Sequence, residues 1–320
     1  MSTNLKPTVA VLMGGTSLEA EVSRRSAREV KSALELRGFK TILIELDEEA
    51  PSILIRHKPD VVFPALHGPP GEDGTVQGFL DIIGIPYVGG GTRSSAIAMD
   101  KHLAKMMFRL SSLPVLDDIL VSSNENPIET SQRILDHFPN GSVIKPLNQG
   151  SAIGVRRILE TNATETIITE AFNEHSKETL FMVEPYVKGK EITVGVLDLH
   201  EHDTKALPVI EIETADNEWY DYHNRYASGK STHHIPPNLP KTVQNRVQAI
   251  AVDAHTTIGL RDLSRADYLV TDENEIFLLE INSLPGMTPT SLYPEAANAY
   301  GIPFPELAEK LVLSAYHRNH

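Results

Sequence analysis

Four polar residues lie at matching distances from the turn of a predicted β-hairpin. If the turn is centred at 273–274, Asp267 faces Glu280 and Arg265 faces Asn282. Residues two apart in a strand share a face, so all four side chains lie on one side of two neighbouring strands. Two carboxylates directly opposite each other repel, so the pair requires a cation.

Two cations meet this requirement, and the residues alone leave both open. Arg265 neutralises the pair by itself if the cluster is only structural. A divalent metal does so if the cluster is functional, because Asp, Glu and Asn supply the hard oxygen ligands that Mg²⁺ prefers. Magnesium held by few carboxylates usually bridges nucleotide phosphates, so this alternative predicts ATP as the ligand.

A nucleotide also requires a cradle for its phosphates. The chain contains no G-x-x-x-x-G-K-[S/T] sequence, and no G-x-G-x-x-G follows a predicted strand. Lys145 instead ends a strand and precedes a small-residue loop at 150–154. Such a loop can lay backbone N–H groups over phosphates, with Lys145 and Lys101 supplying positive charge. A plain tight hairpin is the alternative.

The elements that must position these residues begin with a β-α-β-α-β order. Strands are predicted at 8–13, 41–46, 60–66 and 85–88, and helices at 19–37 and 75–83. This order predicts a parallel sheet with helices on its faces and a ligand site beyond the carboxyl ends of the strands. The loops at that edge are 14–17, 67–71 and 89–91.

Past residue 91 the pattern changes from α/β to α+β. Helices are predicted at 92–110, 161–173 and 240–259. Strands are predicted at 142–145, 155–159, 180–184, 191–199, 205–213, 263–271 and 275–281. Residues 216–231 form a long polar segment without periodicity, which is typical of a lid.

Composition limits the class of protein. The chain has 320 residues, 41% of them hydrophobic, a net charge of −14 and no cysteine. The lack of cysteine excludes disulfides, thiolate nucleophiles and cysteine-ligated metal centres. The negative charge predicts no nucleic-acid partner. Without a signal peptide or an apolar run of ~18 residues, we expect a cytoplasmic protein with no membrane insertion.

Seven short motifs follow one another along the chain. They are GGTSLEAEVS at 14–23, ALHG at 65–68, GEDG at 71–74, MDK at 99–101, IKP at 144–146, YDY at 220–222 and EINSLPGMT at 280–288. In this order they resemble the motifs of D-alanine–D-alanine ligases of the ATP-grasp superfamily, over nearly the whole chain.

The resemblance implies a three-domain ATP-grasp fold. An N-terminal Rossmann-like, parallel-sheet domain at 1–95 binds substrate. Two α+β domains clamp ATP, a central one at 96–184 and a catalytic, metal-binding one at 185–320. The implied reaction forms D-alanyl-D-alanine, ADP and phosphate from ATP and two D-alanines through a D-alanyl phosphate. It serves peptidoglycan precursor synthesis, and a homodimer is the family expectation.

The resemblance also implies a role for each residue that matches a motif. The predicted nucleotide contacts are Lys101 and Lys145 at the α- and β-phosphates, Gly150 and Ser151 in the covering loop, Glu184, Pro185, Tyr186 and Val187 at the adenine, and Glu191 at the ribose. The predicted ligands of two Mg²⁺ (or Mn²⁺) ions are Asp267, Glu280 and Asn282. Arg265 and the backbone N–H of Gly286 match the oxyanion hole.

Substrate contacts are implied at both ends of the chain. Glu19 matches the group that holds the ammonium of the first D-alanine, and a capping box with Thr16 is its alternative. His67 matches a residue near that substrate's carboxylate, or is structural. Ser291 matches a carboxylate-binding hydroxyl, or is a helix N-cap. Tyr226 matches the third member of a hydrogen-bonded trio with Ser151 and Glu19 that closes the omega loop.

Two positions depart from the family pattern and leave the acceptor open. Ala152 stands where a second serine is common, and Arg225 where lysine is usual, at a position expected to bind the γ-phosphate and the acceptor carboxylate. D-lactate or D-serine is therefore an alternative acceptor, although Tyr226 favours the dipeptide. A catalytically silent nucleotide-binding protein is the alternative from another class.

Overall fold

A computed structural model describes residues 6–214 and 231–318. The predicted motif at 220–222, Arg225, Tyr226 and the long polar segment up to residue 230 lie outside the described residues.

The described strands are β1 (Thr8–Met13), β2 (Lys40–Glu45), β3 (Val61–Pro64), β4 (Ile119–Ser122), β5 (Ser142–Pro146), β6 (Arg156–Ile158), β7 (Leu180–Pro185), β8 (Lys190–Asp198), β9 (Lys205–Ala206), β10 (Ile210–Thr214), β11 (Ser231–His234), β12 (Asp262–Val270) and β13 (Ile276–Asn282). The described α-helices are α1 (Ala20–Leu36), α2 (Ala50–His57), α3 (Thr75–Ile83), α4 (Thr92–Met99), α5 (Lys101–Leu110), α6 (Pro127–His137), α7 (Thr164–Glu174), α8 (Lys241–Ile258), α9 (Leu292–Ala299) and α10 (Phe304–Arg318). None of these helices combines the length and apolarity that crossing a bilayer requires.

The first sheet is parallel, in the order β2-β1-β3, as the opening pattern predicts. The predicted fourth strand at 85–88 is wrong, because this segment makes only one bridge, from Tyr87 to Val62. Pro86 lacks an N–H group for a ladder, and Gly89, at φ +100°, turns the chain away. The backbone N–H of Gly89 donates to Asp262 Oδ2 at 2.8 Å and so ties this edge to the third sheet.

The second sheet is antiparallel, in the order β4-β7-β5-β6, and α6 and α7 share a core with it. The sequence pattern missed β4 and α6. The start of α6 nevertheless carries a standard signal, since Asn126 accepts hydrogen bonds from the N–H groups of Ile128 and Glu129, and Pro127 opens the helix.

The third sheet is antiparallel, in the order β11-β10-β8-β12-β13, with β9 paired to β8. The strand predicted at 205–213 is broken into β9 and β10, since Pro208 interrupts the ladder. Helices α4, α5 and α8 bury apolar side chains against this sheet. Helix α10 instead packs against α1 and β3, so the end of the chain returns to the first sheet.

The helix predicted at 92–110 is two helices. Asp100 has φ −86° and ψ 103°, and its side chain accepts the N–H groups of His102 and Leu103. It therefore ends α4 and caps α5, which places Lys101 at the first position of the new helix. The mixed α/β and α+β fold class is confirmed, and the domain boundaries remain a prediction.

The hairpin of β12 and β13 confirms the predicted pairs. Asp267 lies opposite Glu280, and Arg265 lies opposite Asn282. Nearer the turn the register changes, because Tyr268 pairs with Leu278.

Candidate active site

A cleft of about 800 Å³ is lined by the second and third sheets, by helix α1 and by the loop that follows β3. Every site residue predicted from the sequence within the described ranges lines this cleft. The residues are Glu19, His67, Lys101, Lys145, Gly150, Ser151, Glu184, Pro185, Tyr186, Val187, Glu191, Arg265, Asp267, Glu280, Asn282, Gly286 and Ser291. Arg225 and Tyr226 lie outside the described residues.

The two facing carboxylates have separate cationic partners. Arg265 donates to both oxygens of Asp267, from Nε at 2.9 Å and from Nη2 at 2.8 Å. Lys101 Nζ lies 3.5 Å from Glu280 Oε2. The fork of Arg265 thus neutralises Asp267, while the cation beside Glu280 comes from helix α5. Thr193 also donates to Asp267 Oδ1, at 2.6 Å, which fixes the carboxylate on the sheet.

The donor set fits a magnesium ion that takes further ligands from phosphate and water. Among residues 6–214 and 231–318, no group of three or more His, Asp or Glu side chains is placed to hold a metal. The predicted site has two carboxylates and the amide of Asn282. The Oδ1 of Asn282 already accepts the N–H of Leu284 at 3.1 Å. Mg²⁺ is commonly bound in this way, by one or two carboxylates and the phosphates of its substrate.

The loop after β5 covers the cleft from the second sheet. Ser151 and Ala152 have φ of +49° and +56°, so the loop is a turn of left-handed residues between two strands. Its neighbour Gly150 approaches the first domain so closely that a Cβ there would lie 2.9 Å from Glu19 Oε2. Lys101 Nζ donates to the carbonyl of Gln149 at 2.6 Å and holds the start of the loop over α5.

Glu19 points into this cleft and does not cap its helix. It occupies the position just before α1, so Thr16 is not placed to cap, and the Glu19 side chain makes no capping hydrogen bond. Its carboxylate instead accepts a hydrogen bond from the hydroxyl of Ser151. Glu19 is 5% exposed. Two members of the predicted trio, Glu19 and Ser151, are therefore in contact at a site that is largely shielded from solvent.

Glu72 lines the cleft beside Glu19, and the sequence pattern assigned it no role. Its Oε2 accepts the N–H of Gly68 at 2.6 Å. Burial, together with the negative charge of Glu19, raises the pKa of Glu72 to about 8. Glu72 is therefore protonated at neutral pH. The GEDG motif was the only sequence signal for it.

His67 also lines the cleft and is buried. Burial and the nearby charge of Arg265 lower the pKa of His67 to about 4, so the ring is neutral. Its Nε2 lies 3.3 Å from the hydroxyl of Ser26, and the ring is hydrogen-bonded to the backbone of Leu284. His67 thus joins the first domain to the loop that follows β13.

That loop carries Gly286 and Ser291. Ser291 stands at the N-cap of α9, but its side chain makes no capping hydrogen bond. Its hydroxyl lies 2.8 Å from Thr288 Oγ1 and accepts the N–H of Thr288 at 3.2 Å. A Cβ at Gly286 would lie 3.0 Å from Ser291 Oγ, so glycine lets this backbone pass close to the hydroxyl.

Glu184 is predicted to lie beside the adenine, and its side chain has two lysine partners, one of which the sequence did not indicate. It lies near the end of β7, and its carboxylate accepts hydrogen bonds from Lys105 and Lys145. Beyond it the backbone N–H of Tyr186 donates to the carbonyl of Gly141 at 3.0 Å. Glu191 lies on β8, opposite Leu269 of β12.

Solved structures share this fold over nearly their whole length. The chain is similar to "Crystal Structure of D-alanine--D-Alanine Ligase from Bacillus anthracis complexed with ATP", with a TM-score of 0.81 and 30% identity, covering 98% of each chain. It is also similar to the D-alanine–D-alanine ligase of Coxiella burnetii, with a TM-score of 0.80 and 27% identity, covering 98% of this chain and 96% of the other. Fold and cleft together define an enzyme of the ATP-grasp class.

Family models identify the chain more narrowly. The model described as "D-ala D-ala ligase C-terminus" matches residues 109–313, and the one described as "D-ala D-ala ligase N-terminus" matches residues 54–90. The chain belongs to the D-alanine–D-alanine ligase family. It is 40% identical over 310 residues to the D-alanine–D-alanine ligase of Desulforudis audaxviator, which covers 97% of this chain and 99% of that protein. It is 41% identical over 311 residues to that of Sphingopyxis alaskensis, with 96% and 97% coverage.

Proposed function

We propose that this cleft joins two D-alanines into D-alanyl-D-alanine while ATP is converted to ADP and phosphate. The terminal phosphoryl group passes to a carboxylate oxygen of the first D-alanine, which gives that carboxylate a leaving group. The amine of the second D-alanine then forms a bond to the carbonyl carbon. The carbon–oxygen bond to phosphate breaks, phosphate leaves with the electron pair, and the amine nitrogen loses its proton.

One observation carries this proposal. The facing pair of Asp267 and Glu280, two lysines and the Glu19 carboxylate all line one cleft. Their grouping around one space supports a magnesium-binding role for the two carboxylates, a phosphate-binding role for the lysines and an ammonium-binding role for Glu19. Family membership supports the same reaction and its place in peptidoglycan precursor synthesis.

The nucleotide is proposed to lie between the second and third sheets. Its adenine would meet the backbone of Glu184, Pro185, Tyr186 and Val187, and its ribose hydroxyls would meet Glu191. Lys101 and Lys145 would contact the phosphates beneath the loop of Gly150 and Ser151. One or two Mg²⁺ or Mn²⁺ ions held by Asp267, Glu280 and Asn282 would neutralise phosphate charge during transfer.

The acyl centre is proposed to lie between Glu19 and the loop after β13. Glu19 would bind the ammonium of the first D-alanine. Arg265, whose fork Asp267 already holds in place, and the N–H of Gly286 would stabilise the oxyanion of the tetrahedral intermediate. Ser291 would bind a substrate carboxylate. Because His67 is neutral, its role here would be packing and hydrogen bonding and not a positive charge.

Residues outside the described ranges complete the proposal. Arg225 would contact the γ-phosphate and the acceptor carboxylate, and Tyr226 would close the loop over Ser151 and Glu19. We further propose a cytoplasmic homodimer, which is the family expectation.

A product assay tests the function. The protein is incubated with ATP, Mg²⁺ and a panel of D-amino and D-hydroxy acids, and ADP and ligation products are measured together. We expect ADP release that requires D-alanine, with D-alanyl-D-alanine as the main product. A depsipeptide or a D-alanyl-D-serine product would assign the alternative acceptor. The absence of ADP release that depends on D-alanine would favour the silent nucleotide-binding alternative.

A further inference from the structure

The Glu184 carboxylate is buried between two lysines from different elements. Its Oε1 accepts a hydrogen bond from Lys105 of α5, and its Oε2 from Lys145 of β5. The side chain of Glu184 is 3% exposed, that of Lys105 is 1% exposed, and that of Lys145 is 10% exposed. Two ammonium groups thus share one carboxylate that is almost completely shielded from solvent.

The two lysines differ in what else they reach. Lys145 lines the cleft, whereas Lys105 lies behind its wall. On that side the Lys105 ammonium has a second carboxylate, Asp118 Oδ1, at 3.8 Å. Asp118 is itself held by Arg109 and by His102 Nδ1, the latter at 2.7 Å. Lys105 is therefore anchored among protein groups, while Lys145 can turn to a ligand.

Because Lys105 is anchored and Lys145 faces the cleft, Lys105 is the counterion that Glu184 can keep when a ligand binds. A buried carboxylate without a cation is strongly unfavourable, because it has lost its hydration. With Lys105 present, Glu184 stays neutralised when Lys145 moves to a phosphate. Without Lys105, the carboxylate would depend on Lys145 alone and would hold it away from the nucleotide.

We propose that Lys105 is a positioning residue that neutralises Glu184 and thereby frees Lys145 to bind the phosphates of ATP. This inference rests on the proposed function only in taking Lys145 as a phosphate ligand. It assigns to a residue outside the cleft a role in the affinity for phosphorylated nucleotides.

Binding of ADP and of adenosine, each with MgCl₂, tests the inference by calorimetry. Lys105→Met should weaken ADP binding by about tenfold or more, because a charge-assisted contact to phosphate is lost. It should leave adenosine binding within about twofold, since adenosine has no phosphate for Lys145. Lys6→Met is the matched control, because it removes the ion pair with Glu309 at the far edge of the first domain.

The double variant Lys105→Met/Glu184→Gln separates positioning from structural damage. It removes the carboxylate that would capture Lys145, so ADP binding should recover relative to Lys105→Met. Adding Lys105→Met to Glu184→Gln should therefore change ADP affinity little, and this comparison stands even if the single Lys105 variant does not fold.

Three results would overturn the inference. They are an unchanged ADP affinity in Lys105→Met, an equal loss for ADP and adenosine, and no recovery in the double variant. Failure of the proposed function would be visible in the wild type alone, as ADP binding no tighter than adenosine binding.

Discussion

Asp267 faces Glu280 across the β12–β13 ladder because Leu279 stands as an extra residue in β13. From the turn outward, Val270 pairs with Ile276 and Tyr268 with Leu278. Continued without interruption, that register would place Leu279 opposite Asp267 and turn the Glu280 side chain to the other face. The β-bulge restores the facing pair and so builds the proposed metal site.

Glu280→Gln should abolish ligation and leave the fold intact. Glu280 is partly exposed and its lysine partner lies 3.5 Å away, so the free energy of unfolding without ligand should change by less than about 1 kcal/mol. The substitution also relieves repulsion from Asp267. With Mg²⁺ and ATP, the thermal stabilisation of the variant by these ligands should be smaller than that of the wild type, because less binding free energy is coupled to folding.

Glu273→Gln makes the same charge change at the exposed turn of this hairpin. If Mg²⁺ and ATP stabilise Glu280→Gln as much as this control, Glu280 is not a metal ligand.

Glu19→Gln should impair the first half-reaction through D-alanine affinity. An ammonium bound to a buried carboxylate loses its charge partner, which is worth about 1.5–3 kcal/mol. Hydroxylamine trapping of the acyl phosphate measures this step, because hydroxylamine competes with the second D-alanine for the acyl group. We expect the D-alanine KM to rise at least tenfold while the ATP KM changes less. Glu21→Gln, on the exposed face of α1, is the control, and equal KM values for both variants would contradict the ammonium role.

Glu72→Gln should stabilise the protein increasingly as pH rises. The carboxyl of Glu72 has a pKa of about 8 in the folded protein against an ordinary 4.5. Between these values the folded state binds more protons than the unfolded state, so wild-type stability falls with rising pH. Glutamine has no such dependence. Melting temperatures from about pH 5 to 9 should diverge in favour of the variant and stop diverging above about pH 8. Asp73→Asn controls for net charge, and a difference that is constant with pH would contradict a protonated Glu72.

Arg225→Ala should lose both acceptor affinity and turnover, by about 2–4 kcal/mol in the transition state. Arg225→Lys should retain most activity, because a cation still reaches the acceptor. The affinity for the first D-alanine should change less, since other residues hold it. Steady-state kinetics check this. An acceptor KM and a kcat near wild type in Arg225→Ala would mean that another cation, such as Lys230, takes the role.

Local spacing accounted for many of the elements, but it missed β4, α6 and some of the breaks between elements. Helical and strand periodicity depends on neighbours within a few residues, so α1, α3 and β1 follow from the sequence. Asp100 splits the helix predicted at 92–110, since its side chain caps α5. When the apolar residues after a capping residue continue the same helical period, the sequence gives little indication that one helix ends there and another begins.

Sequence by itself determined the predicted residues that line the cleft, because each belongs to a motif carried by a short stretch. Only the tertiary structure decided how their charges are balanced. Ser151 and Glu19 are 132 residues apart, and Lys105 and Glu184 are 79 apart. The protonation of Glu72, the neutrality of His67 and the counterion of Glu184 all depend on burial and on charges from other elements. Desolvation exists only once distant segments have packed together, so no local pattern encodes it.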